Sequence, residues 1–97
     1  MRRAARVDEN HGDIRDELRK LGVTVFDASN VGQGFPDLVC SYGGFTMLVE
    51  VKMPKGSLTP DQVRFKADWQ GVVAIVRDLA GAETTVKFMR AMAERMK

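Results

Sequence analysis

The sequence predicts a small α/β domain, a mixed four-stranded sheet flanked by helices. Three observations carry that prediction. Amphipathic helical stretches alternate with short strand-like runs; two of those runs meet at Gly43-Gly44, a hairpin signature; and 97 residues suffice for a single domain and no more. Apolar residues make up 44% and charged residues 29%, which excludes wholesale disorder and collagen-like repeats.

The elements follow in order. Residues 10–21 place Ile14, Leu18 and Leu21 at helical spacing, and Gly22 ends the helix. Val23 to Ala28 is rich in β-branched and aromatic residues and reads as a strand. SNVGQGFP is a loop. DLVCSY and FTMLVEVK form the two hairpin strands. Thr59-Pro60-Asp61-Gln62 opens a helix, with Thr59 as N-cap, Pro60 at the first position and Gln62 completing a capping box. Phe65 and Trp69, four apart, should pack on that helix, and Gly71 stops it. Residues 72–76 read as a buried strand, and a last helix runs from about Ala82 to Arg95 with Val86, Met89, Ala93 and Met96 as its core stripe. The order is an αβββαβ core plus a C-terminal helix.

Fifteen Lys plus Arg against 13 Asp plus Glu leave a net charge of +2, which permits a polyanionic partner only where charge is segregated. One cysteine, Cys40, and one histidine, His11, exclude a disulfide framework and four-ligand Cys/His zinc sites. Cys40 sits in an apolar strand and reads as core rather than as a nucleophile. Gly32-Gln33-Gly34 begins like a dinucleotide fingerprint, but Asp37 occupies the third glycine position and the motif fails. No apolar stretch approaches the ~20 residues that span a bilayer, and the basic start MRRAARVDEN lacks the apolar run of a secretory signal. A cytoplasmic protein with no membrane partner is expected.

Polar residues that interrupt buried strands cost stability unless they are paired or used. Pairing Tyr42 with Phe45 across a two-glycine turn puts Asp37 directly opposite Glu50, and the alternation of strand side chains puts Lys52 on the same face. Two facing carboxylates repel and call for a cation between them; oxygen ligands suit Mg²⁺ or Mn²⁺. Alternatively, Lys52 pairs with Glu50 in a surface salt bridge.

Pro36-Asp37 followed by Glu50-Val51-Lys52 resembles the signature of the PD-(D/E)xK nuclease superfamily. The surroundings VGQGFPDLV, MLVEVK, GSLTPDQ and Trp69-Gln70-Gly71 are similar to its VRR-NUC branch, over roughly residues 6 to 78. Small stand-alone members of that branch, many of them phage-encoded, resemble archaeal Holliday-junction resolvases. The resemblance implies a restriction-endonuclease-like fold over residues 1–97. It also implies a metal-dependent, structure-selective DNA endonuclease in a bacterial or phage setting.

Carried over residue by residue, the resemblance makes Asp37 and Glu50 metal ligands, with the Val51 backbone carbonyl as a further one, and Lys52 the catalytic lysine. Gln62 matches a glutamine beside the site, although its capping box explains it equally well. The family's first-helix acid falls at Asp13, counting back from Gly22, where relatives commonly carry Glu; Glu9 is the second candidate, and helix-dipole stabilisation is the competing account of Asp13. Lys55 and the cluster Arg2, Arg3 and Arg6 are candidate DNA-phosphate contacts, or else solvated charge. Mg²⁺, with Mn²⁺ able to substitute, is the expected cofactor, with no small-molecule cofactor. Branched DNA is the expected partner. Phe88, Met92 and Met96, which cannot all join the core stripe, suggest a homodimer. The competing class is a non-catalytic DNA-binding or assembly module that retains the fold.

Overall fold

The computed structural model describes residues 7–97 and is an α/β domain with a mixed four-stranded sheet flanked by helices. Its elements are α1 (His11–Lys20), β1 (Thr24–Asp27), β2 (Leu38–Tyr42), β3 (Phe45–Val51), α2 (Pro60–Asp68), β4 (Val73–Val76) and α3 (Leu79–Arg95). The sheet order is β1-β2-β3-β4. The first two pairings are antiparallel, and β4 joins β3 in parallel through the α2 crossover. Among the described residues, no helix is long and apolar enough to cross a membrane.

Gly43 and Gly44 have φ of 56° and 89°, so both centres of the hairpin turn are left-handed, a geometry that matches the twist of the flanking strands. The turn sets Tyr42 opposite Phe45, and the ladder continues to Leu38 opposite Val49. Phe45, Met47, Val49 and Val51 therefore share one face. With Val25, Leu38, Cys40 and Val76 they meet Ile14 and Leu18 of α1 and Val86, Met89 and Ala93 of α3 in the core. Leu48, Glu50, Val73 and Ile75 face the other way, toward α2.

Several sequence expectations need correction. The last helix begins at Leu79 rather than near Ala82, because Asp78 caps it by accepting from the Gly81 N–H at 2.7 Å. Met96 was expected in the core stripe; it caps the end of α3 and is 57% exposed. Phe88 does face outward, but its ring rests edge-on against Phe45 with centroids 5.8 Å apart. The strand at 72–76 was expected to be buried, yet Val73, Ala74 and Ile75 are only half-buried, since β4 is a sheet edge. Helix α2 ends at Asp68, where Trp69 turns to extended backbone before Gly71 is reached.

The 29–36 loop is tied to α2 through Gly34. Its φ is +83°, and a Cβ there would run into the Asp61 backbone carbonyl. Gly34→Ala combines a left-handed alanine with a backbone clash. It should destabilise the protein by at least ~1–2 kcal/mol, read as a lower urea midpoint with an unchanged m-value.

Candidate active site at one end of the sheet

Four segments converge where β2 begins and β3 and β4 end. Asp37 precedes β2, Glu50 lies near the end of β3 and Lys52 just after it, Arg77 follows β4, and residues 8–11 lead into α1. Asn10 fastens them together, its Nδ2 donating to the carbonyl of Lys52 at 3.0 Å and to that of Arg77 at 2.9 Å. Asp8 accepts from the Met53 N–H at 2.6 Å, and Arg77 reaches the carbonyls of Met53 and Gly56 at 3.0 and 2.7 Å. The turn after β3 is thus held from two sides, and it carries the exposed Lys55.

The hairpin register brings Asp37 and Glu50 together. The Asp37 N–H donates to Glu50 Oε1 at 3.2 Å, and the Val51 N–H donates to Asp37 Oδ2 at 2.9 Å. Both carboxylates are buried, at 9% and 4% exposure. Burial pushes the Glu50 carboxyl up to about 8, and the adjacent Asp37 charge adds to the shift. Burial also raises Asp37, against the Val51 N–H, which favours its ionised form. Together the two carboxyls hold a proton at neutral pH.

Lys52 is buried at 8% exposure and its charge acts on Glu50, yet it forms no ion pair among the described residues. Gln62 completes the capping box and also reaches Glu50. Its Oε1 accepts from the Thr59 N–H at 2.9 Å, completing the capping box, while its Nε2 donates to Glu50 Oε2.

The other predicted residues are not gathered here. Asp13 and Glu9 are exposed, and among the described residues neither bonds to Asp37 or Glu50. Arg2, Arg3 and Arg6 lie outside the described residues. The groups of this segment that act on Asp37 are instead His11 and Asp8. His11 is 6% exposed, and its Nε2 lies 2.9 Å from Asp27 Oδ2. Burial lifts the Asp27 carboxyl, but the Ser29 hydroxyl and His11 outweigh it and hold that carboxyl well below the usual range. An ionised Asp27 accepts from the imidazole N–H at Nε2. Two buried side-chain atoms among the described residues lack a partner, His11 Nδ1 and Asn10 Oδ1, and both belong to this segment.

One signal for His11 was present in the sequence. It lies three residues before Ile14, on the same stripe as Ile14 and Leu18, whereas Asp13 is turned ~100° away from Ile14. Asp8 and Asn10 precede the helix, where no periodicity applies.

Chemically, the donor set fits a hard dication: two buried oxygen ligands whose repulsion a cation would offset. Among the described residues, no group of three or more His, Cys, Asp or Glu side chains is arranged to hold a metal. The remaining ligands would be backbone, water or substrate oxygens. Cys40 is no nucleophile, since burial pushes its thiol up to about 12. Comparison of the chain with family models, with curated proteins and with solved structures finds no match.

The raised Glu50 carboxyl has a definite linkage sign. The folded state binds more protons than the unfolded state between the ordinary value of 4.5 and about 8, so metal-free stability should fall as pH rises through that window. Asp37→Asn keeps an acceptor for the Val51 N–H and removes the neighbouring charge. Its Tm in EDTA at pH 8 should rise by roughly 4–8 °C for each kcal/mol of repulsion relieved, while a fall measured by calorimetry would mark the pair as a structural contact.

Proposed function

We propose that this chain is a Mg²⁺-dependent endodeoxyribonuclease, a phosphodiester hydrolase that recognises the shape of DNA, branched DNA included, rather than its base sequence. The observation that carries the reading is the buried Asp37–Glu50 pair with a buried Lys52 on the same face that forms no ion pair among the described residues. A purely structural cluster would pair Lys52 with Glu50, and no such ion pair forms among the described residues. The resemblance of Pro36-Asp37 and Glu50-Val51-Lys52 to the nuclease signature supports the same reading.

Asp37 and Glu50 would hold Mg²⁺, or Mn²⁺ in its place, with the Val51 carbonyl as a further ligand. When bound, the cation lowers the pKa of a water and offsets charge on the phosphoryl oxygens. Lys52 orients the attacking water: its oxygen bonds to phosphorus as one P–O ester bond breaks, one water proton passes to solvent, and the departing oxygen is protonated. Gln62 fixes the Glu50 carboxylate in place, and Lys55, on the exposed turn beside the site, contacts a backbone phosphate. Symmetric cutting of a junction needs two such sites, and the exposed Phe88 and Met96 of α3 offer a surface for a homodimer. The reaction belongs in a bacterial or phage-infected cytoplasm.

The test is cleavage of linear, flapped and four-way DNA with Mg²⁺ or Mn²⁺. Lys52→Ala should lower the rate by about 10²–10⁴-fold with little change in DNA binding. A folded variant that cuts at the parental rate removes Lys52 from the chemistry, and a parental chain that binds DNA without cutting it is a non-catalytic module. Binding of Mg²⁺ at pH 7 should expel about one proton, the one that burial and mutual repulsion hold on the Asp37–Glu50 pair. Calorimetry in buffers of different ionisation enthalpy counts that proton.

A further inference from the structure

Helix α2 lacks the feature that normally holds a helix to a sheet: none of its residues is buried. Gln62, Phe65, Lys66 and Trp69 fall at i, i+3, i+4 and i+7, one stripe. In an ordinary crossover helix that stripe is aliphatic core. Here it is an amide bonded to Glu50, a cation and two rings, and Gln62, Phe65 and Lys66 line a cleft with Glu50 and Ile75.

The rings form a ladder. Phe35, from the glycine loop, meets Phe65 edge-on with centroids 5.3 Å apart, and Phe65 stacks on Trp69 at 5.3 Å and 19° between planes. The ladder ends in solvent, with Trp69 44% exposed. Gly71 leaves room for the indole, since a Cβ there would meet Trp69 Nε1 at 2.7 Å. Arg64 is occupied by Asp61, whereas Lys66 has no ion pair among the described residues.

We propose that Trp69 is a stacking platform for an unpaired base of single-stranded DNA, with Lys66 on the adjoining phosphate; this rests on the nuclease reading above. Trp69 follows Gln62 by seven positions, roughly 10 Å along the helix axis. That is about three nucleotides of a stacked strand from the Glu50 carboxylate. A pre-stacked ring needs no ordering when the base arrives, and a ring accepts any base, as recognition by structure requires. In a fully paired duplex the base faces are already stacked, so the platform selects flaps and single strands.

Trp69 is the single tryptophan of the chain, so its fluorescence reports the platform directly. In EDTA, a short oligothymidylate should quench it saturably, and a blunt duplex of equal length should not. By anisotropy of a labelled oligonucleotide, Trp69→Ala should weaken single-strand binding roughly tenfold or more, while Trp69→Phe stays within about threefold. Saturating DNA that leaves the emission of the parental chain unchanged overturns the platform without needing any variant to fold. So does a folded Trp69→Ala chain that binds as the parent does. An emission shift that follows protein concentration without DNA, together with a doubled mass, gives the ring to a protein interface and likewise overturns it. Parallel digests with Mg²⁺ separate the two readings: cutting with unmoved emission removes the platform alone, and neither cutting nor binding removes both.

Discussion

The two-glycine turn between β2 and β3 is the constraint on which the rest of the site depends. Both glycines are left-handed, and together they set the pairing of Tyr42 with Phe45. Side chains alternate with period two, so one register decides which residues enter the core and which face α2. In the register adopted, Met47, Val49 and Val51 enter the core and Glu50 faces Asp37. A slip of one residue would send Glu50 into the core and Val51 out of it. The hydrophobic core therefore enforces the meeting of two carboxylates, a meeting unfavourable in itself.

That unfavourable contact is contained by donors drawn from the backbone and from α2. Backbone N–H groups of Asp37 and Val51 satisfy one oxygen of each carboxylate, and Gln62 takes the second oxygen of Glu50. Asn10 gives up the N-capping role of its position to clamp the carbonyls of Lys52 and Arg77, so α1 starts without a side-chain cap. A cap is worth ~1 kcal/mol. Forgoing it joins α1 to the ends of β3 and β4 and places His11 and Asp8 within electrostatic range of Asp37.

What the sequence revealed, and what it hid, follow the same division. The hairpin, the capping box of α2 and the pairing of Phe65 with Trp69 are local matters, written in residues two to four apart, and each was legible. The opposition of Asp37 and Glu50 was legible too, because a tight turn propagates register along both strands. The first-helix contribution was not. It depends on how α1 lands against the sheet, a tertiary quantity, and counting back from Gly22 led to Asp13 on the solvent side rather than to His11 on the core stripe. Met96 failed for a related reason, since it caps the end of α3, where it stands 57% exposed instead of entering the core. The half-burial of β4 was hidden because an edge and a centre strand can share the same apolar run.

The unburied helix α2 also bears on motion. Opening free energies within a fold scale with the apolar contacts that must be broken, and segments with few of them open well below the global unfolding free energy. Helix α2 is fastened by its capping box, its ring ladder and the bond from Gln62 to Glu50, with no side chain sunk into the core. It is thus the segment whose amides should exchange hydrogen most readily among the helices, while α1 and α3 keep the protection of the core. Each such excursion carries Gln62 away and uncovers one oxygen of Glu50. Access to the carboxylates is accordingly a local equilibrium, one that a ligand bridging α2 and the sheet would pull toward closure.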